Sequence, residues 1–179
     1  MKKLLRIFTV LSMCLLLSAC SVLNTEYYAE EIPTSNSQST QAGLLTDALQ
    51  ARIEEEIIDA EDLPLQYQYI NGLLRSIAFE ILSVDEEQHI MIIRCSFVDV
   101  MSMADSFGDA QISIAEYYQQ CIEQMQNGLA PTMETCLTIA YEESFEQGEI
   151  GITISQSEGL SELLSCGVYS ATKDLLAAE

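Results

Sequence analysis

Apolar residues follow three different rhythms along this chain. From Leu4 to Cys20 they are nearly continuous, behind a basic start at Met1-Lys2-Lys3. From Ala42 onward, stripes at helical spacing give way to stretches of period two and back again. Between these regions the chain is polar. Over residues 42–60, Leu45, Leu49, Ile53 and Ile57 recur every four residues, with Leu44 and Ala48 beside them, which predicts an amphipathic helix. Glu54, Glu55 and Glu56 point in different directions and read as its solvated face. A shorter helix is expected after Asp62, with Pro64 in its first turn and a stripe of Leu65, Tyr69, Leu73, Ile70 and Leu74.

The period then changes. Ile77, Phe79 and Ile81 alternate with Ala78, Glu80 and Leu82, so residues 77–84 suit a strand, and the polar residues 85–88 suit a turn. Residues 89–99, HIMIIRCSFVD, are apolar on both faces for much of their length. That argues for a central strand covered from both sides, or from one side plus a partner. Residues 102–108 read as a loop or loose helical entry to a long helix ending near Asn127. Ile114, Tyr117, Tyr118, Cys121, Ile122 and Met125 mark its buried face, and Gly128 and Pro131 mark its stop.

Residues 132–145 alternate again, with Met133, Thr135, Leu137, Ile139 and Tyr141 on one face. Glu146-Gln147-Gly148 turns the chain, and residues 149–156 return with Ile150, Ile152 and Ile154 on one face, the clearest hairpin in the sequence. Residues 159–179 are expected to form a last helix, with Gly167 as its weak point. The order ααββαββα predicts an α+β domain: a curved antiparallel sheet of about four strands packed on helices.

The first rhythm has a different meaning. Lys2, Lys3 and Arg6 precede an uncharged run of 14 residues from Ile7 to Cys20. A membrane-spanning helix needs roughly 20 residues, so the run is too short for a stable span and suits the apolar core of a secretory signal. It closes on Leu17-Ser18-Ala19-Cys20, which resembles the lipobox of bacterial lipoproteins. The resemblance implies that the Cys20 thiol takes a diacylglycerol group and that cleavage leaves Cys20 as the first residue. It also implies anchorage at the outer face of the cytoplasmic membrane, since two or more acyl chains hold a protein stably. The division expected is a signal peptide at 1–19, a lipidated Cys20 with a flexible tether over 20–41, and one α+β domain over 42–179. The polar run Pro33-Thr34-Ser35-Asn36-Ser37-Gln38-Ser39-Thr40-Gln41 has no apolar period with which to fold. As a coil of about 20 residues the tether spans roughly 25 Å.

Charge narrows the partners. The chain has 28 acidic residues, and once residues 1–19 are removed only Arg52, Arg75, Arg94 and Lys173 oppose them, a net charge of −24 over 160 residues. Such a field repels phosphate and anionic headgroups, which argues against nucleic acid; the acidity reads first as solubility, with attraction of cations or basic peptides as the alternative. Cys95, Cys121, Cys136 and Cys166 remain after processing, with no C-x-x-C spacing. Three pairings are open to them, but their apolar neighbourhoods favour reduced core thiols.

Three pieces carry a second resemblance. They are the strand Phe79-Glu80-Ile81-Leu82-Ser83-Val84 leaving a helix, the strand ending in Val98-Asp99-Val100 before a long helix, and the late hairpin followed by Leu163-Leu164-Ser165-Cys166-Gly167. Together, over most of residues 44–170, they resemble the small secreted lipoproteins of Gram-positive bacteria with a nuclear-transport-factor-2-like domain. That implies a curved sheet wrapped on helices, often around a cavity. Domains of this type also host enzymes such as ketosteroid isomerase, with an acid base and a phenol or carboxylic acid donor in an apolar cavity. Asp99, Glu80, Tyr117, Tyr118 and Tyr141 are the residues here that could supply such groups, with Asp99 equally suited to capping the backbone that follows it.

No residue meets the requirements of a catalytic label. His89 is the only histidine, and no spacing pairs it with a nucleophile and an orienting carboxylate. Asp99, Asp105 and Asp109 do not reproduce the alternating oxygen ligands of a calcium loop. The sequence therefore predicts no cofactor and no metal site. It points to a membrane-anchored, non-catalytic binding module for a peptide, cell-wall or small-molecule ligand. A small cavity enzyme of the isomerase or lyase sort and an envelope-assembly partner are the alternatives.

Overall fold

The computed structural model describes residues 37–108, 112–146 and 149–177. Cys20, the signal and most of the tether lie outside them. Helix α1 spans Ser37–Glu54, α2 Leu65–Arg75, β1 Ala78–Asp85, β2 Ile90–Val98, α3 Val100–Ser106 and α4 Ile114–Gln126. They are followed by β3 at Thr132–Glu146, β4 at Glu149–Ile154, α5 at Glu158–Leu164 and α6 at Val168–Ala177. The fold is α+β: an open antiparallel sheet in the order β1-β2-β3-β4, with six helices among the described residues. None of these helices is long and apolar enough to cross a membrane.

The α1 stripe is buried as its spacing predicts, with Leu45, Leu49 and Ile53 closed off from solvent. The helix begins at Ser37, inside the stretch expected to be tether, and the Gln41 side chain there donates to Glu143 Oε1 at 3.1 Å. It ends six residues earlier than the stripe suggested. The buried amide of Asn71 accounts for this: it accepts from the Ile58 N–H at 3.0 Å and donates to the Ile58 carbonyl at 2.8 Å, holding the chain in a non-helical path.

β1 keeps its predicted alternation as far as Ile81, which pairs with Ile93. Ser83 then pairs with Ile92, so Leu82 is the extra residue of a bulge. The bulge shifts the period by one residue and turns Val84 inward. β2 is an interior strand, but only one of its faces is buried. Met91, Ile93, Cys95 and Phe97 face the core, while Ile92, 40% exposed, and Arg94 lie on the open face. Of the two arrangements expected, cover from both sides is not seen among the described residues, where the packed helices bury the inner face alone.

The expected order ααββαββα is corrected at two places. The loose entry before the long helix is a helix of its own, α3, capped by Asp99. α4 then starts afresh at a capping box, in which Ser113 N–H donates to Glu116 Oε2 at 2.7 Å and Glu116 N–H to Ser113 Oγ at 3.2 Å. Ile114, expected on the buried face, opens α4 and is 60% exposed. The last helix is broken into α5 and α6. Cys166, at φ 49°, and Gly167, at φ 83°, adopt left-handed conformations. The Gly167 N–H donates back to the Glu162 carbonyl and the Cys166 N–H to the Leu163 carbonyl, closing α5.

β3 is the long strand, 15 residues against nine in β2 and six in β4. β2 pairs with its first part, Thr132 to Ala140, and β4 with its last part, Tyr141 to Glu146, on the opposite edge. The edge that β4 leaves uncovered is met by α5. Gly159 lies so close that an added Cβ would collide with the Thr138 carbonyl oxygen and sit 2.9 Å from its carbon. Gly159→Ala is therefore expected to destabilise the domain by about 2 kcal/mol, because a backbone group cannot yield as a side chain can. The helix-propensity gain of about 1 kcal/mol only partly offsets this. Urea denaturation measures it, and an unchanged midpoint would show that α5 does not lie on the edge of β3.

Candidate functional site

The groups that could have formed a catalytic cavity are dispersed. Asp99 follows β2, beside the first rung of the β2–β3 ladder: Val98 pairs with Thr132, and Asp99 N–H donates to the Pro131 carbonyl at 2.8 Å. Tyr141 lies at the other end of that ladder, where its N–H donates to the His89 carbonyl at 2.9 Å. Nine residues of extended strand separate Thr132 from Tyr141, roughly 30 Å, too far for Asp99 and Tyr141 to meet one ligand atom. Glu80 sits on the outer face of the sheet, exposed, 3.5 Å from Arg94.

Tyr117 and Tyr118 project from α4 into an aromatic cluster with Tyr69 of α2 and with Phe107. The Tyr69 ring lies 5.3 Å from that of Tyr118 and 6.2 Å from that of Tyr117, which in turn is 5.3 Å from Phe107. These edge and tilted contacts are the packing preferred by aromatic quadrupoles. Burial pushes the Tyr69 and Tyr117 phenols well above their ordinary range, so both are neutral at physiological pH. The Tyr69 and Tyr141 hydroxyls are buried and meet no hydrogen-bond partner among the described residues.

Asp99 acts as a cap. Its Oδ1 accepts from the Ser102 N–H at 2.9 Å and its Oδ2 from the Ser102 hydroxyl at 2.6 Å. Partial burial raises its pKa, but bonds from the Ser102 hydroxyl and from the Ser102 and Met101 N–H groups outweigh that and hold the carboxyl below its usual value. His89 sits in the β1–β2 turn at φ 51°, with its ring 5.5 Å from that of Tyr141. Asp109, one member of the candidate calcium trio, lies outside the described residues. Among the described residues no group of three or more His, Cys, Asp or Glu side chains could hold a metal ion.

The four cysteines are free. Cys95, Cys121 and Cys166 are buried, and their thiols are pushed up by that burial to about 11, 11 and 12, so they hold no reactive thiolate at neutral pH. Cys136, expected in the core, is exposed on the outer face opposite Arg94, because even-numbered residues of β3 point outward.

One surface stands apart from this pattern. Phe145 and Ile150 are cross-strand partners near the end of the β3–β4 hairpin, and they are 74% and 52% exposed. They share the inward-facing side of the ribbon with Tyr141, Ile152 and Ile154, yet lie past the end of the β2–β3 ladder. No described strand lies against the edge of β3 that β2 vacates here. Backbone direction alternates: Tyr141 N–H reaches His89, and the Ala140 carbonyl accepts from Ser155 on the other edge. The N–H and C=O groups of Glu143 and Phe145 therefore face the side β2 has left, and no described residue pairs with them.

The surroundings are acidic. Glu142 and Glu143 lie on β3 itself, and the turn after β1 brings Asp85 and Glu86 within electrostatic reach of Tyr141. Burial, then the carboxylates of Glu143, Glu86 and Asp85, push the Tyr141 phenol up. The alternation of residues 149–156 placed Ile150 correctly on its face but revealed neither its exposure nor that of Phe145. The available signal was length: the run assigned to β3 was longer than the strand that could cover it.

No protein-family model matches the chain, and no curated protein is significantly similar to it in sequence.

The Asp99 cap gives a pH-dependent expectation. Its folded pKa lies below the unfolded value, so its stabilisation is present above about pH 4 and is lost as pH falls through the folded value. Asp99→Ala should cost about 1 kcal/mol at neutral pH and much less in acid. Asp99→Asn keeps an acceptor and should flatten that dependence. Denaturant titrations at about pH 7 and about pH 3 measure this; an equal loss for Asp99→Ala at both would contradict an ionised cap.

Proposed function

We propose that this chain is a lipid-anchored binding module held at the outer face of a bacterial cytoplasmic membrane, engaging a protein partner through the open end of the β3–β4 hairpin. The body is a nuclear-transport-factor-2-like α+β domain used as a scaffold rather than as a reaction vessel. The observation that carries the reading is the Phe145–Ile150 pair, two large exposed apolar side chains beside a strand edge that no described residue pairs. Exposed apolar surface next to free backbone donors and acceptors suits protein contact. The dispersal of Asp99, Glu80, Tyr117, Tyr118 and Tyr141 over both faces and both ends of the sheet supports binding over catalysis. Lys2, Lys3, Arg6 and the Leu17-Ser18-Ala19-Cys20 tetrapeptide support the anchor.

Two measurements in a bacterial host test the two halves. Labelled palmitate should enter the chain, and Cys20→Ala should abolish both the label and membrane retention. A photo-crosslinking side chain at Phe145 should capture an envelope protein, while the same probe at exposed Leu129 should not. Label that persists in Cys20→Ala sinks the anchor; equal capture at the two positions sinks the surface.

A further inference from the structure

Granting that reading, the hairpin also specifies the chemistry of its partner. We infer that the open edge of β3 at Glu143 and Phe145 takes up an extended segment carrying alternating basic and apolar side chains, which adds to the sheet as a strand. Three features at one place lead there. The first is geometric: the Glu143 and Phe145 N–H and C=O groups point to the edge that β2 vacates after His89, where no described residue meets them. A segment laid there continues the ladder beyond the Tyr141–His89 bond. The second is apolar: Phe145 and Ile150 are cross-strand partners on one side of the ribbon, so alternate side chains of an added strand fall beside Phe145. The third is charge. Glu143 of β3, with Asp85 at the end of β1 and Glu86 of the turn that follows, lies on this side of the hairpin, and no basic side chain is paired with any of them among the described residues.

Charge also decides between occupants. The chain's own residues 21–36 contain Glu26, Glu30 and Glu31 and no Lys or Arg, so they carry no charge complementary to this edge. A second copy brings the same acidic edge against itself. Anionic lipid is repelled in the same way. A basic, apolar, extended segment is the occupant to which none of these objections applies. The same carboxylates that discourage pairing of free edges with one another thus select a partner of opposite sign.

The test uses the full chain in non-ionic detergent and three short synthetic peptides: one alternating Lys and Val, one alternating Glu and Val, and the Lys–Val peptide N-methylated at alternate residues. The Lys–Val peptide should bind, weakening at least about tenfold as salt is raised from low to high concentration. The Glu–Val peptide should not bind. The N-methylated peptide, in the register that removes its inward donors, should lose about tenfold or more. Phe145→Ser combined with Ile150→Ser should weaken the Lys–Val peptide by about tenfold with the melting temperature unchanged, while Leu129→Ser changes nothing.

Equal binding of both peptide charges, indifference to N-methylation, or Phe145-dependent binding to anionic vesicles in place of the peptide would overturn the inference. If crosslinking at Phe145 still captures a protein in that case, the binding-module reading survives and only the partner chemistry fails. If neither peptide nor crosslinked protein is found, both fall.

Discussion

A strand has two edges, and in this domain β3 cannot satisfy both along its whole length. It runs for 15 residues, yet β2 reaches only its first part and β4 only its last, from the opposite side. Two stretches of edge are thereby left without a strand. α5 covers one of them, with Gly159 against the Thr138 carbonyl. The other, at Glu143 and Phe145, has no described residue across it. The length mismatch among three strands therefore determines where the helix docks and where the surface stays open.

The core rests on the same ladder. Because β2 and β3 stay in register from Ile90–Ala140 to Val98–Thr132, the odd-numbered residues of both strands face inward together. Met91, Ile93, Phe97, Ile139 and Tyr141 thus form one apolar surface, against which Leu45, Leu49, Leu160 and Leu163 close. The even-numbered residues are turned outward, which explains why Arg94, Glu80 and the exposed Cys136 lie together on the far side.

Much of this was legible beforehand. The stripe Leu45, Leu49, Ile53 and the alternation from Met133 to Tyr141 each have one strong period, and each forms the predicted element with the predicted face inward. What was not legible depended on single groups acting at a distance. α1 stops where Asn71, far along the chain, binds Ile58. The break after α5 needs a left-handed Cys166 as well as Gly167, and only the glycine signals it. β2 read as apolar on both faces because Ile90 and Ile92 are as apolar as Met91 and Ile93; which face the helices cover is settled by tertiary packing. The candidate groups were individually plausible, but sequence gives no distance, and the ladder sets Asp99 and Tyr141 at opposite ends. The open edge was hidden for a related reason, since it belongs to the relation between three strands and to none of them alone.

The proposed binding surface depends on the state of one short edge, and amide hydrogen exchange followed by NMR reads it residue by residue. In the isolated protein, Glu142 and Ser144, whose backbone groups face β4, should be protected together with Tyr141, while the Glu143 and Phe145 amides exchange rapidly. Alternating protection of this kind is the signature of a strand paired on one side only. Uniform protection from Tyr141 to Phe145 would mean that the edge is already filled, and the account built on its openness would be contradicted.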